Sequence, residues 1–268
     1  MQRGLATAAF AAVFLLAGSV FALQAQDMID QLDLKSDEFT KADVTREDVL
    51  AAIAATPDGS LADFSGKRLN GLDLSGLDLR KLRLQSTRIN GAKLAGANLD
   101  GVILDQAWAL ESDLTNASLK GASLFSTQFR DAKLDGADFA GARVAADFSR
   151  ASLKGASFKG ASLAPDLTNQ SMGLMRGVFR SSNLEGANFE KANLARVMLE
   201  YANLRGANLR NANLMGAELG GADLTGADVA GADFNQADVN STRLLSLRGK
   251  DQARNFDSVK NLDRAYVE

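Results

Sequence analysis

From Phe64 onward the large apolar residues of this chain follow neither the 3.6-residue period of a helix nor the two-residue period of a strand, but recur at every fifth position. Phe64 is followed by Leu69, Leu74, Leu79, Leu84, Ile89, Leu94, Leu99 and Leu104, and the series continues from Leu114 to Val144, with Ala109 the one slot lacking a large side chain. Two residues before most of these centres stands a small residue, as at Ala92, Ala97, Ala117, Ala122, Ala132, Ala137 and Ala142, and Asn or Asp often stands between. A period of five predicts a solenoid whose chain turns a corner once per repeat, one small and one large inward residue filling a narrow square core.

Two interruptions break the phase. Val144 to Phe148 is one residue short; after Phe148, Leu153, Phe158 and Leu163, sixteen residues separate Leu163 from Phe179, one more than three repeats. The spacing predicts that the two slips cancel, with two irregular repeats between. From Phe179 to Leu244 no step is missed. The array therefore occupies 61–246, irregular at 144–148 and 164–178.

The flanks carry other signals. Residues 1–25 combine Arg3, an apolar run from Leu5 to Leu16, and small residues ahead of Asp27, the three parts of a secretory signal peptide; cleavage fits after Ala22 or Ala25, and an uncleaved anchor is the alternative. Residues 26–60 read as a linker and a capping helix: Thr45-Arg-Glu-Asp48 is a capping box, Val44 and Val49 a hydrophobic staple, and Val49, Leu50 and Ile53 one apolar face before Pro57. Residues 247–268 lose the repeat, and Leu247, Phe256, Val259, Leu262 and Ala265 predict a short helical C-terminal cap. Such ends need covering, because an open sheet edge recruits other chains.

The run Ala202-Asn-Leu-Arg-Gly-Ala-Asn-Leu-Arg-Asn-Ala-Asn-Leu-Met-Gly216 closely resembles the pentapeptide-repeat family, and the resemblance extends over about two-thirds of the chain. It implies an all-β solenoid, a right-handed quadrilateral β-helix with four repeats per coil, about nine coils and roughly 43 Å at ~4.8 Å per coil. Residues twenty apart then stack: Asn183 under Asn203, Asn188 under Asn208, Asn193 under Asn213, in amide ladders. Ala109 falls between Ile89 and Phe129, where a ring can fill the vacant space, and Trp108 points outward. Trp108 reads either as a binding anchor or as a side chain folded over that gap.

Composition narrows the chemistry. There is no cysteine and no histidine, which removes thiol nucleophiles, disulfides, imidazole bases and the usual zinc ligands. No cofactor or metal is expected, the hydroxyls have no evident base to activate them, and the chain reads as non-enzymatic. Loss of the leader removes one base from the 30, leaving 29 against 33 acids and a mature charge of −4, which does not invite direct nucleic-acid binding. With the leader gone, no stable membrane insertion is expected either, and the mature chain is placed in the bacterial periplasm or outside the cell.

Charge is nevertheless uneven. Lys67, Arg68, Arg80, Lys81, Arg83, Arg88 and Lys93 crowd the first coils, whereas Glu218, Asp223, Asp228, Asp233 and Asp238 meet no base between 216 and 240. Each of those four aspartates precedes an inward residue, so the resemblance places Asp223, Asp228, Asp233 and Asp238 on four faces as an acidic ring, either a contact for a basic partner or a solvated surface. Glu218 and Asp238, one coil apart, approach the separation of a retaining glycosidase's carboxylates, without a foreseeable cleft. The stretch 164–175, with Asp166, Asn169 and Met172, is a candidate binding loop or an accommodated insertion. These residues, with Trp108, are the candidate contacts for an unidentified protein partner, and the C-terminal end is a candidate homodimer contact. The leading functional reading is an exported protein-binding scaffold; the alternative, from quinolone-resistance relatives, is a DNA-mimic modulator of a type II topoisomerase.

Overall fold

The computed structural model describes residues 32–166 and 175–267. The predicted leader lies outside them. The chain divides into two compact units, Met1–Glu38 and Phe39–Glu268. In the first, the Leu34 and Ser36 N–H groups donate to the carbonyls of Leu32 and Asp33 at 2.9 and 3.0 Å, tight turns that lead into a one-turn helix, α1 (Asp37–Thr40).

The second unit contains the repeats. Its logic is legible in the single repeat Ala202–Gly206, where every backbone N–H has a partner. Ala202 N–H closes the preceding corner on Leu199 O (3.1 Å), Asn203 N–H reaches back to Ser182 O (2.9 Å), and Leu204 and Gly206 N–H reach forward to Asp223 O and Thr225 O (2.8 and 3.0 Å). The fifth, Arg205 N–H, has no backbone acceptor and takes the Asn203 side-chain Oδ1 at 3.1 Å. In this repeat, and wherever Asn or Asp stands before the inward centre, the side-chain oxygen thus closes the backbone account, an unpartnered N–H away from water costing about 1–3 kcal/mol. Elsewhere a carboxylate of the preceding coil can take the role, as Asp105 Oδ1 does for Phe125 N–H at 2.9 Å.

Because each side is so short before the chain turns, β1 (Ala62–Asp63) and β2 (Leu82–Arg83) are the only regular parallel pair among the described residues, and the other described sides pair through isolated bridges. The bridges add up to unbroken columns. One runs Arg68, Arg88, Trp108, Gln128, Asp147, Val178, Met198, Glu218, Asp238, Lys260. The twenty-residue stacking is present in the expected register, and Asn203, Asn208 and Asn213 donate their amides to Asn183, Asn188 and Asn193 at 3.2, 3.0 and 3.1 Å. Leu and Ala centres fill one continuous core at 0–3 % exposure. Ala109 lies in register between Ile89 and Phe129, as expected. Phe129, Phe148 and Phe179 stack at 5.1 and 4.8 Å, Phe139, Phe158 and Phe189 at 4.7 and 5.0 Å, and the two stacks meet edge to face.

The interruptions differ from the sequence reading. Gln128 pairs with Asp147, nineteen residues on, so one corner residue is missing; Asp147 then pairs with Val178 and Ser162 with Asn193, thirty-one residues on. The slips do not cancel. The described residues 164–166 and 175–177 form no bridges of a repeat; they leave and rejoin the coil at one corner, an excursion with its neck closed by Gly177 N–H on Leu163 O at 2.9 Å.

At the start, α2 (Arg46–Ala55) has the expected capping box: Asp48 N–H donates to Thr45 Oγ1 at 3.1 Å and Thr45 N–H to Asp48 Oδ2 at 2.8 Å. Val49 is fully buried in the core and Val44 and Ile53 pack against it, but Leu50 is 40 % exposed, since positions 49 and 53 share a helix face that 50 leaves. The segment before α2 lies along one side: Asp43 N–H donates to Arg68 O, Asn70 Nδ2 to Lys41 O, and the Phe39 ring meets Trp108 at 5.4 Å.

The C-terminal segment also departs from expectation. Instead of an α-helix it makes one more coil with a period of six, in which Arg248, Arg254, Lys260 and Tyr266 pair with Asp228, Asp233, Asp238 and Arg243. Single 3₁₀ turns at Lys250–Gln252, Phe256–Ser258 and Leu262–Arg264 follow three of these bridges, each entered through a residue at positive φ, Gly249, Asn255 or Asn261. They fold Phe256 and Leu262 against the core end, Phe256 lying 5.2 Å from Phe234.

Corners take a left-handed residue, often glycine, yet Lys191 and Tyr201 serve as well. A Cβ on Gly226 would meet nothing, whereas one on Gly231 would fall 2.4 Å from Asn211 Oδ1 of the coil before. Gly226→Ala should therefore cost only the left-handed penalty of about 1 kcal/mol, and Gly231→Ala measurably more, as denaturant midpoints will show.

The single tryptophan reports the N-terminal strap. Arg68, hydrogen-bonded to the side chain of Asp43, holds that carboxyl below its ordinary value of 3.8, and the Thr45 N–H does the same for Asp48. Folded values that are lowered give support that is complete above the ordinary range and lost as pH falls through the lowered values. Acidification should thus shift Trp108 emission to the red before the core unfolds, and Phe39→Ala should give the shifted spectrum at neutral pH.

Candidate partner-binding site

The four aspartates of the predicted ring each occupy one side of the same coil, but the ring is not an unopposed negative surface. Arg205 and Arg210 approach Asp223 and Asp228 from the preceding coil at 3.2 and 3.3 Å. From the following side, Arg243, Arg248, Arg254 and Lys260 are the bridge partners of Asp223, Asp228, Asp233 and Asp238. Asn255 and Asn261 donate to Asp233 and Asp238 at 2.8 Å each. Burial pushes the Asp223 carboxyl up, but the Thr225 hydroxyl and N–H and Arg205 more than offset it; Asp233 is lowered chiefly by the Asn255 amide. The signal missed in the sequence was the hexad Ala253-Arg-Asn-Phe-Asp-Ser, Val259-Lys-Asn-Leu-Asp-Arg, which sets a base one coil beyond each acid.

Trp108 faces outward and is half-buried, its ring tilted against Phe39, while the Arg88 guanidinium lies 5.5 Å over that same Phe39 ring. Its neighbour is thus the chain's own strap. Glu218 and Asp238 stack as expected, but Glu218 is engaged by Arg176 at 3.0 Å. Burial pushes the Glu218 carboxyl up, Arg176 pulls it down and Glu200 pushes it further up; Glu200 itself accepts from Arg180 at 2.9 Å. Arg176 Nη1 also donates to Arg196 O, so the return limb of the excursion is fastened across the next coils. Among the described residues no group of His, Cys, Asp and Glu is placed to hold a metal ion, and no helix is long and apolar enough to cross a membrane.

Asn169 and Met172 lie outside the described residues. Asp166 is exposed, at the rim of a groove of about 290 Å³ between the excursion and the flat side beside it. The groove is lined by Phe125, Arg143, Ala145, Pro165, Met175 and Asn193, among others. It is open to solvent at the surface and mixes apolar walls with a guanidinium and hydroxyl or amide groups. Of the candidate contacts that lie among the described residues, Asp166 contributes to it.

The family model described as Pentapeptide repeats matches in 8 copies, over residues 68–106, 111–141, 178–211 and 202–240. Among curated proteins, no relative matches. Among solved structures the chain is similar to QnrB1, a plasmid-mediated fluoroquinolone resistance protein, with 19% identity over 76% of this chain and 93% of that one and a TM-score of 0.56. It is also similar to HetL of Nostoc sp. strain PCC 7120, a protein involved in heterocyst differentiation regulation, with 26% identity over 83% and 96% and a TM-score of 0.34. A third is a pentapeptide repeat protein of the Arabidopsis thaliana thylakoid lumen, with 34% identity over 40% and 68% and a TM-score of 0.35. At 19% identity the QnrB1 likeness is one of fold.

Reversing the bases over the ring tests its compensation. Arg254→Glu with Lys260→Glu should lower the thermal midpoint by the equivalent of about 1 kcal/mol or more, and ~1 M salt should restore part of it. A loss unchanged by salt would mean that side-chain packing, not charge, holds the last coil.

Proposed function

This chain belongs to the pentapeptide-repeat family, whose fold is a right-handed quadrilateral β-helix, and on that premise we propose that it is a non-enzymatic scaffold that binds another protein. In this reading residues 1–25 direct export and are removed, and the mature protein works in the periplasm or outside the cell. α2 and the six-residue coil serve as the caps that keep the two ends from pairing with other chains. The observation that carries the reading is the groove at the 164–177 excursion. In the regular coils, inward side chains and backbone groups are consumed in building the lattice, and here its period is broken beside a concave surface.

The DNA-mimic reading has less support. A mimic of a nucleic-acid duplex needs a continuous negative surface, but the columns alternate in sign, as in Asp73, Lys93, Asp113, Lys133, and the acidic ring is flanked by bases. Partner binding by a second copy through the C-terminal end remains part of the proposal, where Tyr266 and Val267 are 57 % and 45 % exposed.

Expressed with its leader in a Gram-negative host, the protein should fractionate with the periplasm and have an intact mass that begins at Leu23 or Gln26. Crosslinking in that compartment should then yield a discrete protein adduct. Cytoplasmic protein retaining Met1, together with inhibition of gyrase supercoiling by the purified chain, would replace this reading with the topoisomerase one.

A further inference from the structure

The missing residue and the inserted ones fall at the same corner of successive coils. The shortened corner lies between Val144 and Asp147, and the excursion leaves the next coil between Leu163 and Val178. The shortened corner has no left-handed residue; its Ala145, and Ala164 at the same step of the next coil, present small side chains to the groove. The shortened corner and the described limbs of the insertion, through Ala164, Pro165, Asp166 and Met175, line the same groove.

Its chemistry is specific. Phe125 is a half-buried ring at a step where the coils before and after carry Asp105 and Ala145, and Pro165 and Met175 line the same groove. Arg143 is exposed on the flat side, and its guanidinium makes no hydrogen bond or ion pair among the described residues. Ser123 is already committed to Asp105 at 2.7 Å, and Asn193 accepts from Ala195 N–H and Asn213. On the flat side of the groove the ladder positions are already paired, with Leu124 N–H on Arg143 O and Val144 N–H on Ser162 O. Recognition falls to side chains. A volume of about 290 Å³ is at the lower edge of the ~300–1,000 Å³ typical of small-molecule sites, the size of one or two amino-acid side chains.

We infer that this groove docks an exposed segment of a protein partner in which an apolar or aromatic residue stands beside a carboxylate. The apolar side chain packs against Phe125, Pro165 and Met175, and the carboxylate takes the free Arg143 guanidinium in a charge-assisted, two-point hydrogen bond. The inference rests on the protein-binding reading above and names the partner's chemistry.

The probe is a fluorescein-labelled capped peptide containing Phe-Asp, compared with its Phe-Asn counterpart by fluorescence anisotropy on the mature full-length chain. The Phe-Asp peptide should bind about tenfold more tightly. Arg143→Gln should abolish the difference, Phe125→Ala should weaken both peptides, and Arg83→Gln, an exposed arginine on the same side of an earlier coil, should change neither. Equal affinity for the two peptides, a preference that survives Arg143→Gln, or competition by acetate alone as effective as the peptide would each overturn the inference, as would absence of binding by either peptide. A periplasmic crosslink that persists in Arg143→Gln alongside such a failure would leave the scaffold reading standing and move its contact elsewhere. Unchanged thermal melting of Arg143→Gln separates loss of contact from loss of fold.

Discussion

The coil depends on one constraint, that each five-residue step must find partners for all its backbone groups in the coil before, the coil after, and its own corner. In Ala202–Gly206 the account closes only because Asn203 lends a side-chain oxygen to Arg205 N–H and because the fifth residue can turn left-handed. Small and large inward residues are then a consequence, being what fits inside a square whose sides are this short. The constraint also fixes where the chain can depart from its period. An extra residue within a side would turn inward residues outward, as a slip in any strand does, whereas one at a corner leaves every side in register. Both irregularities, the loss before Asp147 and the excursion before Val178, are at a corner.

Inward positions were legible in the sequence because burial imposes a strict period, and Ala109 between Ile89 and Phe129 and the three asparagine ladders follow from that period together with the four repeats per coil that the family resemblance implies. The excursion was misread for a physical reason. Sixteen residues is one more than three repeats, so arithmetic favoured repeats, but spacing does not say whether the intervening residues pair, and none of 164–166 or 175–177 pairs as a bridge. The final coil was misread because its period changes to six: Phe256 and Leu262 are apolar at a step that a five-residue frame does not sample, and apolar residues at mixed spacing look helical. The groove was the least legible feature, since Phe125 and Arg143 are eighteen residues apart and become neighbours only when one coil is stacked on the next.

Charge shows the same translation from chain to lattice. Along the sequence the charge is uneven, bases crowding the first coils and acids standing without a base between 216 and 240. In the coil, a residue's nearest charged neighbours are about twenty positions away, so the acids of 223–238 sit between arginines of the preceding coil and the bases of the six-residue coil. Exposed pairs of this kind contribute little individually. Their effect is to remove the repulsion that four stacked aspartates would otherwise impose on a coil one step from the end.

The interruption also explains where the aromatic residues are. A repeat solenoid is held by nearest-neighbour interfaces, so a defect between two coils is not compensated by distant ones. Closing an excursion of about eleven residues costs roughly 2 kcal/mol of chain entropy, and the shortened corner one coil earlier removes a turn. Phe129, Phe139, Phe148, Phe158, Phe179 and Phe189 all lie in the coils on either side of these two faults, and the stacked pairs Phe148–Phe179 and Phe158–Phe189, at 4.8 and 5.0 Å, cross the excursion itself. Stacked and edge-to-face rings contribute about 0.5–1.5 kcal/mol per pair beyond their buried area. Two such pairs offset the closure of the loop at the interface where it is incurred. The phenylalanines are thus concentrated where the lattice is cut open, and a concave surface on an otherwise flat rod is stabilised from within.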